Sequence, residues 1–248
     1  MSGDRTVKKK WLYTMYFTLL LMGMTHLNIA GAAYFSQFDG DTTATNLTSG
    51  KKTTFLALGD SYTIGQSVDS SQRFPAQTAH FLKHYGYEIN NIDYLATTGW
   101  KTVNLQWAIE AQRTQKKYDI VTLLIGVNDQ YLKKDTTGYR EHFTNLLLKA
   151  IAYANNNSKH VFVLSIPDYS ITPFGKEKKA SAKQIDQFNI INKEVTLSFG
   201  VVYTDVTGIS RYDEIDTAML ASDDMHPSGK QYEQWARALS NKIRTAFQ

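Results

Sequence analysis

Hydrophobic and polar positions follow two alternating rhythms along most of the chain. Apolar runs of strand length recur at residues 53–58 (TTFLAL), 119–125 (DIVTLLI), 161–166 (VFVLSI) and 201–205 (VVYTD). The run at 119–125 is continuous rather than alternating, as in a strand buried on both faces of a parallel sheet. Residues 87–94 (YEINNIDY) form a fainter strand candidate. Between these runs the period becomes helical: at 74–85, closed near Gly86; at 103–115, with Val103, Trp107 and Ala111 on one side; at 139–155; at 180–198; and from Ser228 onward. Strands that alternate with helices predict an α/β domain, with helices on both faces of a parallel sheet. Ligands of such sheets collect at the carboxyl ends of the strands.

The first part of the chain has a different pattern. Lys8, Lys9 and Lys10 precede a nearly wholly apolar stretch at 11–24 (WLYTMYFTLLLMGM), and Ala30-Gly31-Ala32-Ala33 follows. A charged start, a short apolar core and a small-residue exit predict a secretory signal over residues 1–32, cleaved after Ala32 or Ala33. The run is shorter than the roughly 20 residues that span a bilayer as a helix, and Thr25, His26 and Asn28 break it. The alternative is an uncleaved anchor; membrane contact is expected through this segment alone. Both readings place the folded domain outside the cytoplasm, periplasmic or secreted. Residues 33–50 have a linker's composition, rich in Thr, Ser, Asp and Gly, and contain a glycosylation sequon at Asn46. The domain is expected over residues 51–248.

Composition narrows the chemistry. The 248 residues are 42% hydrophobic and 20% charged, an ordinary globular balance. The absence of cysteine excludes a thiol nucleophile, a thiolate metal site and a disulfide framework. Most of the net charge of +4 sits in residues 1–32, where Arg5, Lys8, Lys9 and Lys10 stand against Asp4. The remainder is near neutral, so no nucleic-acid partner is expected. Lys176, Lys178 and Lys179 form a small basic group interrupted by Glu177, as on a solvated surface.

Candidate functional residues fall just after predicted strands. Gly59-Asp60-Ser61 follows the first, Gly126-Val127-Asn128-Asp129 the run at 119–125, and Pro167-Asp168 the run at 161–166, while Asp223-Asp224-Met225-His226 precedes the last helix. A serine hydroxyl needs an adjacent base, and the base needs an orienting partner. Ser61 in a strand-to-helix turn reads equally as a nucleophile or a helix cap. His226 is a candidate base, oriented by Asp223 or by the adjacent Asp224. A metal reading of Asp223, Asp224 and His226 lacks further ligands to complete a shell. Oxyanion donors are available from the Ser61 amide, the Gly99 amide and the Asn128 side chain.

Taken together, these blocks resemble the SGNH/GDSL hydrolases. The resemblance rests on Gly59-Asp60-Ser61-Tyr62-Thr63-Ile64-Gly65, on Gly99, on Gly126-Val127-Asn128-Asp129, and on Asp223-Asp224-Met225-His226-Pro227. The stretch Ser165-Ile166-Pro167-Asp168-Tyr169 is similar to a loop of bacterial members. The resemblance implies a three-layer α/β/α sandwich around a flavodoxin-like parallel sheet of about five strands. It also implies Ser61 as nucleophile, His226 as base, Asp223 as its orienting acid, and Ser61, Gly99 and Asn128 as oxyanion donors, with no cofactor and no metal. The expected substrates are small-molecule or glycan carboxylic esters, either short-chain or carbohydrate O-acetyl; lysophospholipids and thioesters are the alternative. Tyr62, Trp100, Tyr131, Tyr169 and Phe174 are placed to stack on a sugar, to line an acyl slot, or simply to pack. A non-catalytic binding protein on the same fold would be expected to have lost one of these positions. An α/β-hydrolase elbow, G-x-S-x-G, is excluded because Thr63 stands where its second glycine belongs. Dinucleotide-binding and P-loop glycine patterns are absent after the first strand.

Overall fold

The computed structural model describes residues 50–113, 116–133, 135–212 and 216–248. The expected signal, the sequon and all but the last residue of the expected linker lie outside the described residues. In chain order the elements are β1 (Lys51–Lys52), β2 (Phe55–Gly59), α1 (Ser61–Ile64), α2 (Phe74–Lys83), β3 (Tyr87–Glu88), β4 (Ile92–Ala96), α3 (Thr102–Gln112), β5 (Ile120–Leu124), α4 (Val127–Lys133), α5 (Tyr139–Tyr153), β6 (Val161–Leu164), α6 (Pro173–Glu177), α7 (Ala182–Ser198), β7 (Val202–Thr204), α8 (Thr207–Tyr212) and α9 (Gly229–Ala246).

Five parallel strands form the main sheet in the order β4-β2-β5-β6-β7. β1 and β3 add a small parallel pair. Residues of β2, β5 and β6 are buried throughout, which accounts for their continuous apolar runs. Helices α2 and α9 pack on each other, and α5 packs between α3 and α7, so the two sets cover the two faces of the sheet. The result is the expected three-layer α/β/α arrangement. In α9 the buried residues Tyr232, Trp235, Ala236, Leu239 and Ile243 recur at helical spacing and form one apolar stripe.

Several boundaries differ from the sequence pattern. The faint strand at 87–94 is two strands, β3 and β4, and β4 runs on to Ala96. β4 is an edge strand whose residues are mostly half-buried, so it needs fewer apolar side chains. The helix α4, directly after Gly126, stands where the pattern showed only a loop motif.

The order β4-β2-β5 creates a switch point. The chain leaves β2 for β4 on one side, then returns across to β5 on the other side. Loops after β2 and β5 therefore diverge and leave a crevice at the carboxyl edge. β2 ends at Gly59, where a Cβ would collide with the Thr63 side chain and the Leu124 carbonyl. Only glycine lets the chain turn into α1 this close to β5.

Candidate active site

Ser61 is the first residue of α1, and Asp60 is its N-cap. Asp60 Oδ1 accepts the Tyr62 amide N–H at 3.0 Å, which ties the first turn down. Its other oxygen, Oδ2, is buried and has no hydrogen-bond partner among the described residues. Burial, helped by the nearby Asp129 charge and only partly offset by the Tyr62 amide, pushes the Asp60 carboxyl up to about 8. At neutral pH Asp60 therefore carries its proton.

The loop before α9 supplies the partner. Its residues are braced by the Ala221 amide, which donates to the His226 carbonyl at 2.8 Å, and by a bridge between Leu220 and Pro227. The Ser228 amide adds a bond to the Met219 carbonyl at 2.8 Å. On this frame His226 Nε2 lies 2.9 Å from Ser61 Oγ. His226 Nδ1 lies 2.7 Å from Asp223 Oδ2. Asp223 Oδ1 accepts the amides of Met225 and His226 at 3.1 Å and 2.9 Å.

Desolvation raises the Asp223 pKa. The Ser67 hydroxyl, the His226 amide and the His226 ring together outweigh that effect and hold it at about 2. An ionised Asp223 can only accept, so Nδ1 carries the ring proton and donates to it. Nε2 is then left as an acceptor for the Ser61 hydroxyl. The acid that meets the imidazole is Asp223. Asp224 is exposed, sits in a left-handed conformation at φ 56, and uses its carbonyl to accept the Phe174 amide at 3.2 Å.

On the other side of the crevice, Asn128 lies in the first turn of α4 and donates from Nδ2 to the Trp100 carbonyl at 3.0 Å. The next residue, Asp129, accepts the Thr102 amide at 2.9 Å and the Thr102 hydroxyl at 2.7 Å, which anchors the start of α3. Burial raises the Asp129 pKa despite the two Thr102 bonds. Gly99 immediately precedes these anchors, at φ 80, a left-handed conformation that favours glycine. Thr98 Oγ1 donates to Gln66 Oε1 at 2.5 Å, so this loop is also fastened to the turn that closes α1.

Residues 57–234 match the GDSL-like lipase/acylhydrolase family. The chain belongs to this family. No curated protein matches the chain. Solved structures with the same fold include a lipase/acylhydrolase from Enterococcus faecalis, with 18% identity, 78% of this chain and 96% of that chain covered, and a TM-score of 0.64. A psychrotrophic esterase from Pseudoalteromonas, inhibited by monoethylphosphonate, shares 14% identity over 79% of this chain and 98% of its own, with a TM-score of 0.60. An acetylxylan esterase from Geobacillus stearothermophilus shares 21% identity over 79% of this chain and 95% of its own, with a TM-score of 0.58.

Within this GDSL chain the five candidate aromatics divide. Tyr62 is buried, with its ring 5.0 Å from the His226 ring and Trp235 stacked behind it at 6.3 Å. Tyr169 is also buried and donates to Gln130 Oε1 at 2.8 Å. Trp100 and Phe174 are half-buried against the core. Tyr131, one turn after Asn128 on α4, is 36% exposed and lies 6.3 Å from the Phe174 ring. Tyr62 and Tyr169 are thus the buried members of the five, and Tyr131 with Phe174 makes the more open aromatic pair. Among the described residues no group of three or more His, Cys, Asp or Glu is disposed to hold a metal ion.

The sequence pattern did not single out Gln66, Ser67, Asp60 or Asp129 for these roles. Asp60 and Asp129 lie inside the quoted blocks, so their position was visible even though their protonation was not. Ser67 hydrogen-bonds Asp223 across 156 positions, a link that only the fold reveals.

Proposed function

We propose that this GDSL-family chain is a serine esterase that works through an acyl-enzyme. Ser61 Oγ attacks the ester carbonyl carbon as His226 Nε2 takes its proton. Asp223 holds the imidazole in the reactive tautomer and stabilises the imidazolium. The oxyanion is received by the amides of Ser61 and Gly99 and by the Asn128 side chain, which keeps a second N–H beyond the one given to Trp100. Each such donor is worth about 3–4 kcal/mol in the transition state. His226 then returns the proton to the leaving alkoxide. Water attacks the acyl-Ser61 carbonyl and gives a proton to His226; the bond to Ser61 Oγ then breaks, His226 returns the proton to Oγ, and the carboxylic acid departs.

The observation that carries this reading is the unbroken chain from Ser61 Oγ through both imidazole nitrogens to an ionised Asp223, at 2.9 Å and 2.7 Å. Ser61→Ala, assayed on p-nitrophenyl acetate, tests it: activity should fall at least about 10³-fold, and near wild-type turnover overturns it. Labelling of Ser61 by a fluorophosphonate separates a catalyst from a binding protein on the same fold.

Short-chain or carbohydrate O-acetyl esters are the substrates we favour. The open Tyr131–Phe174 pair beside the crevice offers flat apolar surface of the kind that sugar rings stack on. A cavity of about 210 Å³ supports an acyl-chain reading, lysophospholipid or thioester. It is lined in part by Tyr62, Tyr169, Ile171, Leu220, Met225 and Pro227, the last two flanking His226. A panel of acetylated sugars and esters of rising chain length decides between them. Export is proposed from the pattern of residues 1–32, and fractionation of the expressed full chain tests it.

A further inference from the structure

We propose that Ser67 is a positioning residue of this site, acting through Asp223, and that its turn ties the acid and the Gly99 loop to the nucleophile's own helix. The proposal rests on the roles assigned above to Ser61, His226 and Asp223. Ser67 Oγ donates to Asp223 Oδ2 at 2.6 Å, the same oxygen that accepts the His226 Nδ1–H. The two carboxylate oxygens are held differently. Oδ1 is gripped by the amides of Met225 and His226, which belong to its own loop. Oδ2, the oxygen that aims the imidazole, meets only the imidazole and Ser67 among the described residues. Without Ser67 it keeps one partner and is freer to rotate out of the plane in which Nδ1–H points.

Ser67 itself is held in an unusual state. Its φ is 67, a left-handed conformation that side chains disfavour. It is exposed, so its hydroxyl could bond to water instead. What the position gains is the reach to Asp223. The neighbouring residue completes the turn. The Gln66 amide donates to the Ser61 carbonyl at 3.0 Å, and Gln66 Oε1 accepts the Thr98 hydroxyl at 2.5 Å. Three segments remote in sequence, carrying Ser61, Gly99 and Asp223, are thereby joined through residues 66 and 67.

Ser67→Gly isolates the hydroxyl. Glycine accepts φ 67 without strain, so the fold should be kept or firmed. The titratable groups facing Asp223 are His226 on its own loop, Tyr62 on α1 and Tyr232 on α9. Both phenols are held well above their ordinary range by burial and stay neutral through the acid limb. Removing the Ser67 donor leaves more negative charge on Oδ2 for the imidazolium, so the acid limb of kcat/KM should move to higher pH.

The expected result is a fall in kcat of about tenfold, the loss of one hydrogen bond to a charged group. KM should change less than about twofold, and Tm should be unchanged or higher. The downfield Nδ1–H proton of His226 should shift or broaden in the NMR spectrum. Ser67→Asn, which tolerates the left-handed region and keeps a donor, should recover part of kcat. Wild-type kcat, pH profile and Nδ1–H resonance in Ser67→Gly overturn the proposal, as does an activity loss that only follows a fall in Tm. The NMR measurement needs no turnover. Failure of the fluorophosphonate to label Ser61 in the unsubstituted chain would therefore sink the esterase reading alone, and the Nδ1–H resonance would still decide the role of Ser67.

Discussion

Asp60 and Asp223 lie on either side of the Ser61–His226 hydrogen bond, one just before the serine and the other three residues before the histidine, yet their surroundings drive them apart. Asp60 is wholly buried, receives the Tyr62 amide on one oxygen, and has no partner on the other among the described residues. Asp223 is less buried and receives two backbone amides, a hydroxyl and an imidazole N–H. Burial raises both carboxyls, but only Asp223 has enough donors to reverse it. The first rises to about 8 and the second falls to about 2. The depth of burial and the number of hydrogen bonds aimed at the anion therefore decide together whether a carboxyl in this crevice is charged.

The strongest way to break this contrast is to swap each acid for its amide. Asp223→Asn replaces an obligatory acceptor with a group that can donate to Nδ1, which favours the wrong imidazole tautomer. Its kcat/KM on p-nitrophenyl acetate should fall by roughly 10³–10⁴-fold. Asp60→Asn keeps the acceptor for the Tyr62 amide and loses only a proton that is already in place, so its kcat/KM should stay within about tenfold. Equal losses in the two variants would remove the distinction.

A smaller effect should appear in stability against pH. The folded chain holds the Asp60 proton up to about pH 8, whereas the unfolded chain releases it near its ordinary value of 3.8. The folded state thus binds the extra proton between these limits, and the Asp60 contribution to stability declines as pH rises across them. Asp223 has the opposite sign: its contribution is present above its ordinary 3.8 and is lost as pH falls toward about 2. Thermal melts of Asp60→Asn should show a flatter profile from pH 4 to 8. At pH 8.5 they should show a Tm roughly 5 °C above the unsubstituted chain. An unchanged slope would mean that water or a local shift ionises Asp60 at little cost.

Truncating the aromatic support behind the histidine sharpens the comparison from the packing side. Trp235 is fully buried against Tyr62, Phe74 and Tyr232. Trp235→Ala should cost about 3–5 kcal/mol in denaturant unfolding. Because Tyr62 backs His226, kcat should fall as well. The smallest effect belongs to Asp224. Asp224→Gly relieves its left-handed backbone and should stabilise by about 0.5 kcal/mol, with kcat/KM unchanged. A large activity loss there would return the orienting role to Asp224.

The legible part of the fold was its centre. β2, β5 and β6 are buried on both faces, so their sequences have little choice but continuous apolar runs. β4 was legible only as a smear from 87 to 94, because an edge strand tolerates Asp93 and half-exposed positions. The helix α4 was hidden because it has only seven residues and Asn128, Asp129 and Gln130 follow Val127 directly, too short and polar a stretch to show a period. In the site, Ser61 stood out by residue type and by position at a strand end, and His226 and Asp223 by residue type and by position before the last helix. The residue pattern left Asp223 and Asp224 open and the family resemblance favoured Asp223; the coordinates add that Asp223 Oδ2 lies 2.7 Å from His226 Nδ1 while Asp224 is exposed.

By itself the sequence determined which chemical groups exist and beside which elements they sit: a serine, an asparagine and a turn glycine after strands, and a histidine with an acid three residues away before the last helix. Those depend on local spacing and on the alternation of strand and helix. The tertiary structure decided which groups meet and in what charge state. The sheet order, with β2 between β4 and β5, opens the crevice, and the fold brings Ser67 to an acid 156 positions away. It also leaves Asp60 neutral and Asp223 ionised. Burial and hydrogen-bond donors set those states, and the donors come from segments that the order of residues does not place together.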